Sequence, residues 1–241
     1  MSLGVQAAQA AWARALLEGL REGGVEALVL SPGSRSTPFA LAAHALEFSI
    51  HVAIDERAAA FFALGRARLM ARPSLLLCTS GSAPAHYLPA LVEASMARIP
   101  LIALTADRPP ELHHCGANQS VDQRGLFGSF VRASAELGPP RSGESLRLAM
   151  GRIGAWAVAR SLHPEPGPVH LNAPAIEPLE PPLTPPASPP PGAADASTHR
   201  TTRVALPRMR PDPVALAALV RAARASRSGW LVVGPLGPQR A

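Results

Sequence analysis

The sequence contains no lysine; all 23 of its Lys/Arg positions are arginine, set against 17 acidic residues for a formal charge of +6. Such a balance would ordinarily suggest nucleic acid. Here the arginines are scattered among many Ala, Pro and Gly residues, a set encoded by GC-rich codons, rather than gathered in a stripe with aromatics between them, so no nucleic-acid partner is implied. The missing lysine also excludes a P-loop at Thr79-Ser80-Gly81-Ser82, where small residues open a helix. No glycine fingerprint follows the first strand, which argues against a plain dinucleotide-binding fold. Only two cysteines occur, Cys78 and Cys115, far apart in the chain. The opening MSLGVQAAQAAWARALLEGL lacks the basic start and unbroken apolar core of a signal peptide, so a reducing cytoplasm is expected. No apolar run approaches the roughly 20 residues needed to cross a bilayer.

With 241 residues, 47% of them hydrophobic and 17% charged, the chain can bury one full domain core and begin a second. To about Ala175 the pattern alternates helical periodicity with short apolar runs, predicting an α/β fold: a parallel sheet covered by helices on both faces. A first helix is expected over 5–22, with Ala8, Trp12, Leu16, Leu17 and Leu20 on one face and Gly23-Gly24 as its stop. Strands are expected at 27–30, 50–54, 75–79, 101–106 and 169–172, and helices near 56–71, 83–98 and 144–160. Ser36 or Thr37 caps a further helix, with Pro38 in its first turn. After Glu177 the composition turns to Pro-rich sequence too poor in bulky apolar residues to pack, predicting an extended linker. Beyond it an amphipathic helix over 214–225 and a buried strand over 229–234 are expected. One helix and one strand make no core. The expected domains are therefore 1–176, a linker at 177–210, and the start of an incomplete second α/β domain at 211–241.

Open parallel sheets bind ligands at the carboxyl ends of their strands, and segments 31–38, 55–56, 79–82 and 107–119 all begin at such ends. Glu56 opens a helix with an apolar body, where an acid is also favoured simply by the helix dipole. Asp55 before it reads as a cap. Ser31-Pro32-Gly33-Ser34-Arg35 leaves a strand in a sharp turn that exposes backbone amides, a hydroxyl and a guanidinium; a structural turn is the plainer alternative. His113-His114-Cys115 has metal-binding residue types, but no second ligand pair follows at useful spacing, so no metal site is expected in this chain.

In order, SPGSRSTP, IDERAAAFFALG, CTSGSAPAHYLPALVEA and PLIALTADRPPELHHCGANQSVDQRGLFG closely resemble the 2-succinyl-5-enolpyruvyl-6-hydroxy-3-cyclohexene-1-carboxylate synthase family of thiamine-diphosphate enzymes in menaquinone biosynthesis. PGPVHLNAPAIEPL looks like the last strand of its pyrimidine-binding domain. The resemblance implies that Glu56 is catalytic: held in a poorly solvated pocket, it bonds N1′ of the cofactor aminopyrimidine and favours the imino tautomer that activates the thiazolium C2. It implies cofactor contacts at Pro32 and Thr79, and substrate contacts at Ser34, Arg35, Arg108 and Gln119, with Asn118 ordering the loop. Arginines suit polyanionic substrates because the guanidinium fork holds carboxylates with two bonds. The implied reaction decarboxylates 2-oxoglutarate and adds the succinyl unit to isochorismate. Family members often carry an acid near His114, so this loop departs in detail.

The family's Mg2+ ligands lie in a carboxyl-terminal diphosphate domain, and its active site forms between subunits of a homodimer or homotetramer. Nothing here resembles that domain. The chain alone is therefore expected to bind thiamine diphosphate poorly and to turn over nothing. Two other classes remain open, a different carboligase or decarboxylase of the superfamily and a non-catalytic binding module; TADRPPEL with GANQ argues against the first.

Overall fold

The computed structural model describes residues 2–180, 202, 204–207, 210–230 and 232. Six strands form one sheet: β1 (Ala27–Leu30), β2 (Ser49–Val52), β3 (Ser74–Cys78), β4 (Leu101–Asp107), β5 (Ala133–Glu136) and β6 (Pro168–Pro174). Their order is β2-β1-β3-β4-β6-β5 and every adjacent pair is parallel. Helices α1 (Ser2–Glu22), α2 (Thr37–Ala45), α3 (Glu56–Met70), α4 (Leu88–Met96) and α5 (Glu144–Leu162) cover both faces.

Period-two alternation in the strands feeds two separate cores. Leu75 and Leu77 of β3 join Trp12, Leu16 and Leu20 of α1, Phe39 of α2 and Val158 of α5 on one face. Leu76 and Cys78 point the other way, into the alanines of α3 and Leu91 of α4. β3, β4 and β6 are buried along their whole length; LLLC of β3 and LIAL of β4 read accordingly as apolar runs, whereas β6 buries His170 and Asn172 among its apolar residues. Full burial of each leucine contributes roughly 1.5–3 kcal/mol.

The strand order also fixes where a ligand can enter. The chain leaves β1 through α2 on one face, whereas the connections on either side of β3 run through α3 and α4 on the other. The paths leaving the carboxyl ends of β1 and β3 therefore diverge, and a crevice opens between them.

Four differences from the sequence expectations have local causes. The helix expected over 83–98 is a 3-10 turn at Ala83–Tyr87 followed by α4, because Pro84 and Pro89 bring no N–H to continue an α-helical ladder. Strand β5 was not expected: ASAE carries no bulky apolar residue, and on the sheet edge it is only half covered. Ser36 occupies the cap position of α2, but its hydroxyl donates to the carbonyl of Gly33 at 2.8 Å instead of accepting from the helix. The buried strand expected at 229–234 is not found at its described residues: Trp230 is 99% exposed, Val232 is exposed too, and neither is in a strand. A single strand with no sheet beside it has nothing to bury against; residues 231, 233 and 234 lie outside the described ones.

The expected helix near 214–225 is α6 (Pro213–Ala225), capped by Asp212, whose carboxylate accepts from Ala215 N at 2.8 Å. Its apolar residues Val214, Leu216, Leu219 and Val220 are exposed. Most of the expected linker, 181–201, lies outside the described residues. Residues 176–180 are firmly held: Ile176 N donates to Gln9 Oε1 at 2.7 Å, Gln6 Nε2 donates to the carbonyl of Glu180 at 2.8 Å, and Leu179 is buried. Among the described residues no helix is long and apolar enough to cross a membrane.

Candidate active site

At the end of β1 the chain still pairs with β3, Ser31 N donating to the carbonyl of Leu77 at 2.9 Å, and then turns. Gly33 follows in an extended conformation any residue could adopt, so its backbone angles do not require glycine. Packing does: a Cβ there would lie 2.4 Å from Cβ of Thr79, in the loop that leaves β3. The two loops press together here, the Thr79 side chain packed against the bare Cα of Gly33. Pro32 and Ser34 are exposed beside this contact, and Arg35 is buried.

Glu56 is the first residue of α3, held there by the capping bond of Asp55 Oδ1 from Ala58 N at 2.7 Å. That cap satisfies one of the free amides of the helix start and fixes the direction in which Glu56 emerges. Glu56 is half-buried, neither sealed in the core nor in open solvent. Below it lie Cys78 at the end of β3, Tyr87 from the 3-10 turn, and Ser31. Burial pushes the Cys78 thiol well above its usual range, and the Glu56 carboxylate pushes in the same direction. Burial likewise raises the Tyr87 phenol, with Cys78 and Glu56 adding to the effect. The Ser31 and Tyr87 hydroxyls are fully buried, and neither reaches hydrogen-bonding geometry with a partner. Ser31, Tyr87 and Cys78 act on one another in this sealed position, the Ser31 hydroxyl opposing the rise in the Tyr87 pKa and the Tyr87 hydroxyl opposing that of Cys78.

A second set of side chains gathers around Ser80. The Arg108 guanidinium and the Ser80 hydroxyl are bonded, Gln119 Nε2 donates to the Ser80 carbonyl at 2.9 Å, and Ser80 Oγ donates back to the Gln119 carbonyl at 3.3 Å. Gly81, at φ +88°, stands where a Cβ would sit 2.7 Å from Cγ of Gln119, so the loop after β3 and the loop after β4 close on each other only with glycine there. Gln119 and Asn118 are exposed. Burial and the neighbouring charge of Arg35 both lower the pKa of the Arg108 guanidinium, while Glu177 and Asp107 oppose the shift. Arg35, Arg108 and Glu177 therefore share one electrostatic environment. Of the residues expected from sequence, the structure joins Arg108 to Gln119 directly through Ser80, places Arg35 in the field of Arg108, and puts Thr79 against the loop of Pro32 and Ser34.

Behind this cluster lies a polar network that sequence reasoning missed. Asn172 at the end of β6 uses every hydrogen-bonding position of its amide. Its oxygen accepts from Thr105 Oγ1 at 2.8 Å and Gln123 Nε2 at 2.8 Å, and its nitrogen donates to Asp107 Oδ2 and Glu136 Oε2, each at 2.8 Å. Gln123 in turn accepts from Gly81 N at 3.0 Å, tying the network to the turn that holds Gln119. Because the single Thr105 proton is given to Asn172, the contact from His170 Nε2 to Thr105 Oγ1 at 2.8 Å requires the ring N–H on Nε2. Burial, with the ring edge-on to Phe127, brings the His170 pKa down to about 4. Asp107 also accepts from Arg108 N at 2.7 Å, which seats the arginine at the strand end. The only sequence signal for the network was a polar residue closing each of two apolar strands, Asp107 and Asn172.

His113 faces inward, its Nε2 at 3.0 Å from the Arg108 carbonyl and 3.6 Å from Asp107 Oδ2, whereas His114 and Cys115 are exposed. Among the described residues no group of three or more His, Cys, Asp or Glu side chains is placed to hold a metal ion.

Residues 11–126 match the family model described as thiamine pyrophosphate enzyme, N-terminal TPP binding domain. The chain is similar to a 2-succinyl-5-enolpyruvyl-6-hydroxy-3-cyclohexene-1-carboxylate synthase of Sorangium cellulosum (strain So ce56), 49% identical over 228 residues that cover 93% of this chain and 37% of that protein. Proteins of the same name from Dechloromonas aromatica (strain RCB) and Bacillus pumilus (strain SAFR-032) are 45% and 41% identical, each over 226 residues, again covering 93% of this chain and 40% and 38% of theirs. The chain thus spans about two fifths of the length of these curated relatives.

Proposed function

We propose, from the match of residues 11–126 to the N-terminal TPP binding domain of thiamine pyrophosphate enzymes, that the chain supplies the aminopyrimidine-binding half of a cytoplasmic carboligase. The reaction takes 2-oxoglutarate, releases carbon dioxide and joins the remaining succinyl unit to isochorismate, giving 2-succinyl-5-enolpyruvyl-6-hydroxy-3-cyclohexene-1-carboxylate for menaquinone biosynthesis. One observation carries the proposal: Arg108 and Gln119 meet through Ser80 at the carboxyl edge of the sheet, with Arg35 in the field of Arg108, and Glu56 stands half-buried at the head of α3, which follows another strand of the same edge.

Thiamine diphosphate, when bound, supplies the carbanion chemistry that lets a 2-oxo acid lose its carboxylate. Glu56 presents a carboxyl to the aminopyrimidine N1′ and shares a proton with it, which requires that its exposed side be covered and kept dry. Pro32 and Thr79, in the two loops that press together at Gly33, would contact the ring. Ser34, Arg35, Arg108 and Gln119 hold the carboxylates and hydroxyls of the substrates and orient them toward the ring. The Mg2+ ligands and the diphosphate site belong, in this proposal, to a second domain that follows the 177–210 linker in the whole enzyme, with the active site completed between subunits of a homodimer or homotetramer.

The test is a chimera in which these residues are joined to the remaining carboxyl-terminal part of the Sorangium cellulosum synthase. We expect consumption of 2-oxoglutarate that depends on isochorismate, thiamine diphosphate and Mg2+, and a fall of about 100-fold or more in kcat for Glu56→Gln. Isothermal titration of the 241-residue chain alone is expected to register weak cofactor binding. Turnover of a different oxo acid without isochorismate would refute the substrate assignment.

A further inference from the structure

Arg35 is only 5% exposed, yet it is bonded in a half-used way. Nη1 donates to the carbonyl of Ala175 at 2.9 Å, Nη2 donates to a single oxygen of Glu177 at 2.8 Å, and the buried Nε has no partner. Glu177 is asymmetric in the opposite sense, its side chain 72% exposed. It lines an open depression together with Ser34, Pro178, Leu179 and Glu180, so it stands beside one of the candidate substrate residues. Arg108 feels the charges of both Arg35 and Glu177, as well as that of Asp107. The segment carrying Glu177 is strapped to α1 by Gln6 and Gln9, so the carboxylate is delivered by a fixed backbone.

A guanidinium fork is matched by a carboxylate that uses both oxygens, and Glu177 offers one. An ion pair with one partner open to solvent is weakened by screening, so a better-fitting anion can replace it. We infer that Glu177 is an internal competitor for the substrate anion site: it occupies Arg35 until an incoming carboxylate of the substrate displaces it. The inference rests on the proposed role of Arg35 as a substrate anchor. Glu177 then lowers the affinity of any anion for Arg35 by a small factor, which a carboxylate able to use both oxygens makes good. Once displaced, the Glu177 side chain has open solvent to move into, which a buried partner would lack.

The competing possibility is that Glu177 is a brace that aims Arg35, and the two make opposite predictions for Glu177→Gln, which removes the charge but keeps the shape and one acceptor oxygen. The probe is succinate, titrated into the 241-residue chain and followed by the 15N-labelled arginine Nε resonance of Arg35, with thermal melting to verify the fold. Competition predicts saturable movement of that resonance in the parent and binding about three- to fivefold tighter in Glu177→Gln. Glu177→Asp, which keeps the charge, should remain close to the parent. Unchanged or weaker succinate binding in Glu177→Gln would overturn the inference, as would an Arg35 resonance that succinate moves in neither chain. The chimera assay reports separately. Tighter succinate binding beside an inactive chimera would remove the carboligase proposal and leave Glu177 as the competitor for a different carboxylate ligand.

Discussion

Two polar regions lie at the ends of neighbouring strands, one by β1 and β3 and one by β4 and β6, and they are finished to different degrees. Around β4 and β6, Asn172, Thr105, Gln123 and His170 are buried and each is bonded to another member of the set. Around β1 and β3, Ser31 and Tyr87 are equally buried but make no bond of normal geometry, Tyr87 having only Cys78 and Ser31 near it, Arg35 Nε is unpartnered, and Glu56 is half open. Leaving a buried donor or acceptor unpaired costs about 1–3 kcal/mol, so folding alone does not favour the second arrangement. The bonded region keeps the loops in place. The unbonded region is where a ligand would supply the missing partners.

That contrast can be attacked from both sides. The largest effect is expected from Asn172→Asp, which keeps the shape but turns a two-hydrogen donor toward Asp107 and Glu136 into a third carboxylate. We expect a loss of about 4 kcal/mol in urea unfolding at neutral pH; a loss below about 1 kcal/mol would mean that the network is not tightly coupled.

Next comes pH. The His170 pKa is lowered from 6.5 in the unfolded chain to about 4 in the folded one, so below pH 6.5 the unfolded state binds the extra proton. Stability from this group is fully present above pH 6.5 and falls as pH drops toward 4, by about 3 kcal/mol in all. Urea midpoints measured at several pH values should show that slope, and His170→Gln should flatten it. An unchanged slope in the variant would assign the acid sensitivity to other groups.

The smallest effect belongs to the unfinished side. Tyr87→Phe removes a hydroxyl with no partner and should shift stability by less than about 1 kcal/mol, toward stabilisation. A clear loss of stability would reveal a bond at Tyr87 and weaken the contrast.

The sheet was legible wherever burial on both faces demands continuous apolar residues, as in LVL of β1, LLLC of β3 and LIAL of β4. It failed where that demand lapses: β5 is built from ASAE at an edge, and the run around Trp230 lies exposed with no described strand to join. At the site, Arg35, Glu56 and Arg108 stand at strand ends, yet position alone left Glu56 an ordinary first-turn acid and Arg35 part of a turn, and only the family resemblance singled them out. Glu177 was singled out by neither, because it opens a Pro-rich stretch and owes its position to backbone bonds from Gln6 and Gln9 made across the fold. Gln123 gave no signal at all, since SVDQRG has no periodicity and its amide is buried only by partners from three other segments.

The place of β6 between β4 and β5 has a consequence for how the chain is made. β5 is synthesised before β6 but pairs with nothing else, so a ribosome that has released residues up to Glu136 leaves that strand waiting. Thr105, Asp107, Gln123 and Glu136 wait with it, because Asn172 is the hub they share. At about 5–20 residues per second, the delay between Asp107 and Asn172 is on the order of several seconds. During that interval the nascent half-sheet carries a bare apolar edge at β4, which makes this stretch of translation the time when a chaperone has most to shield.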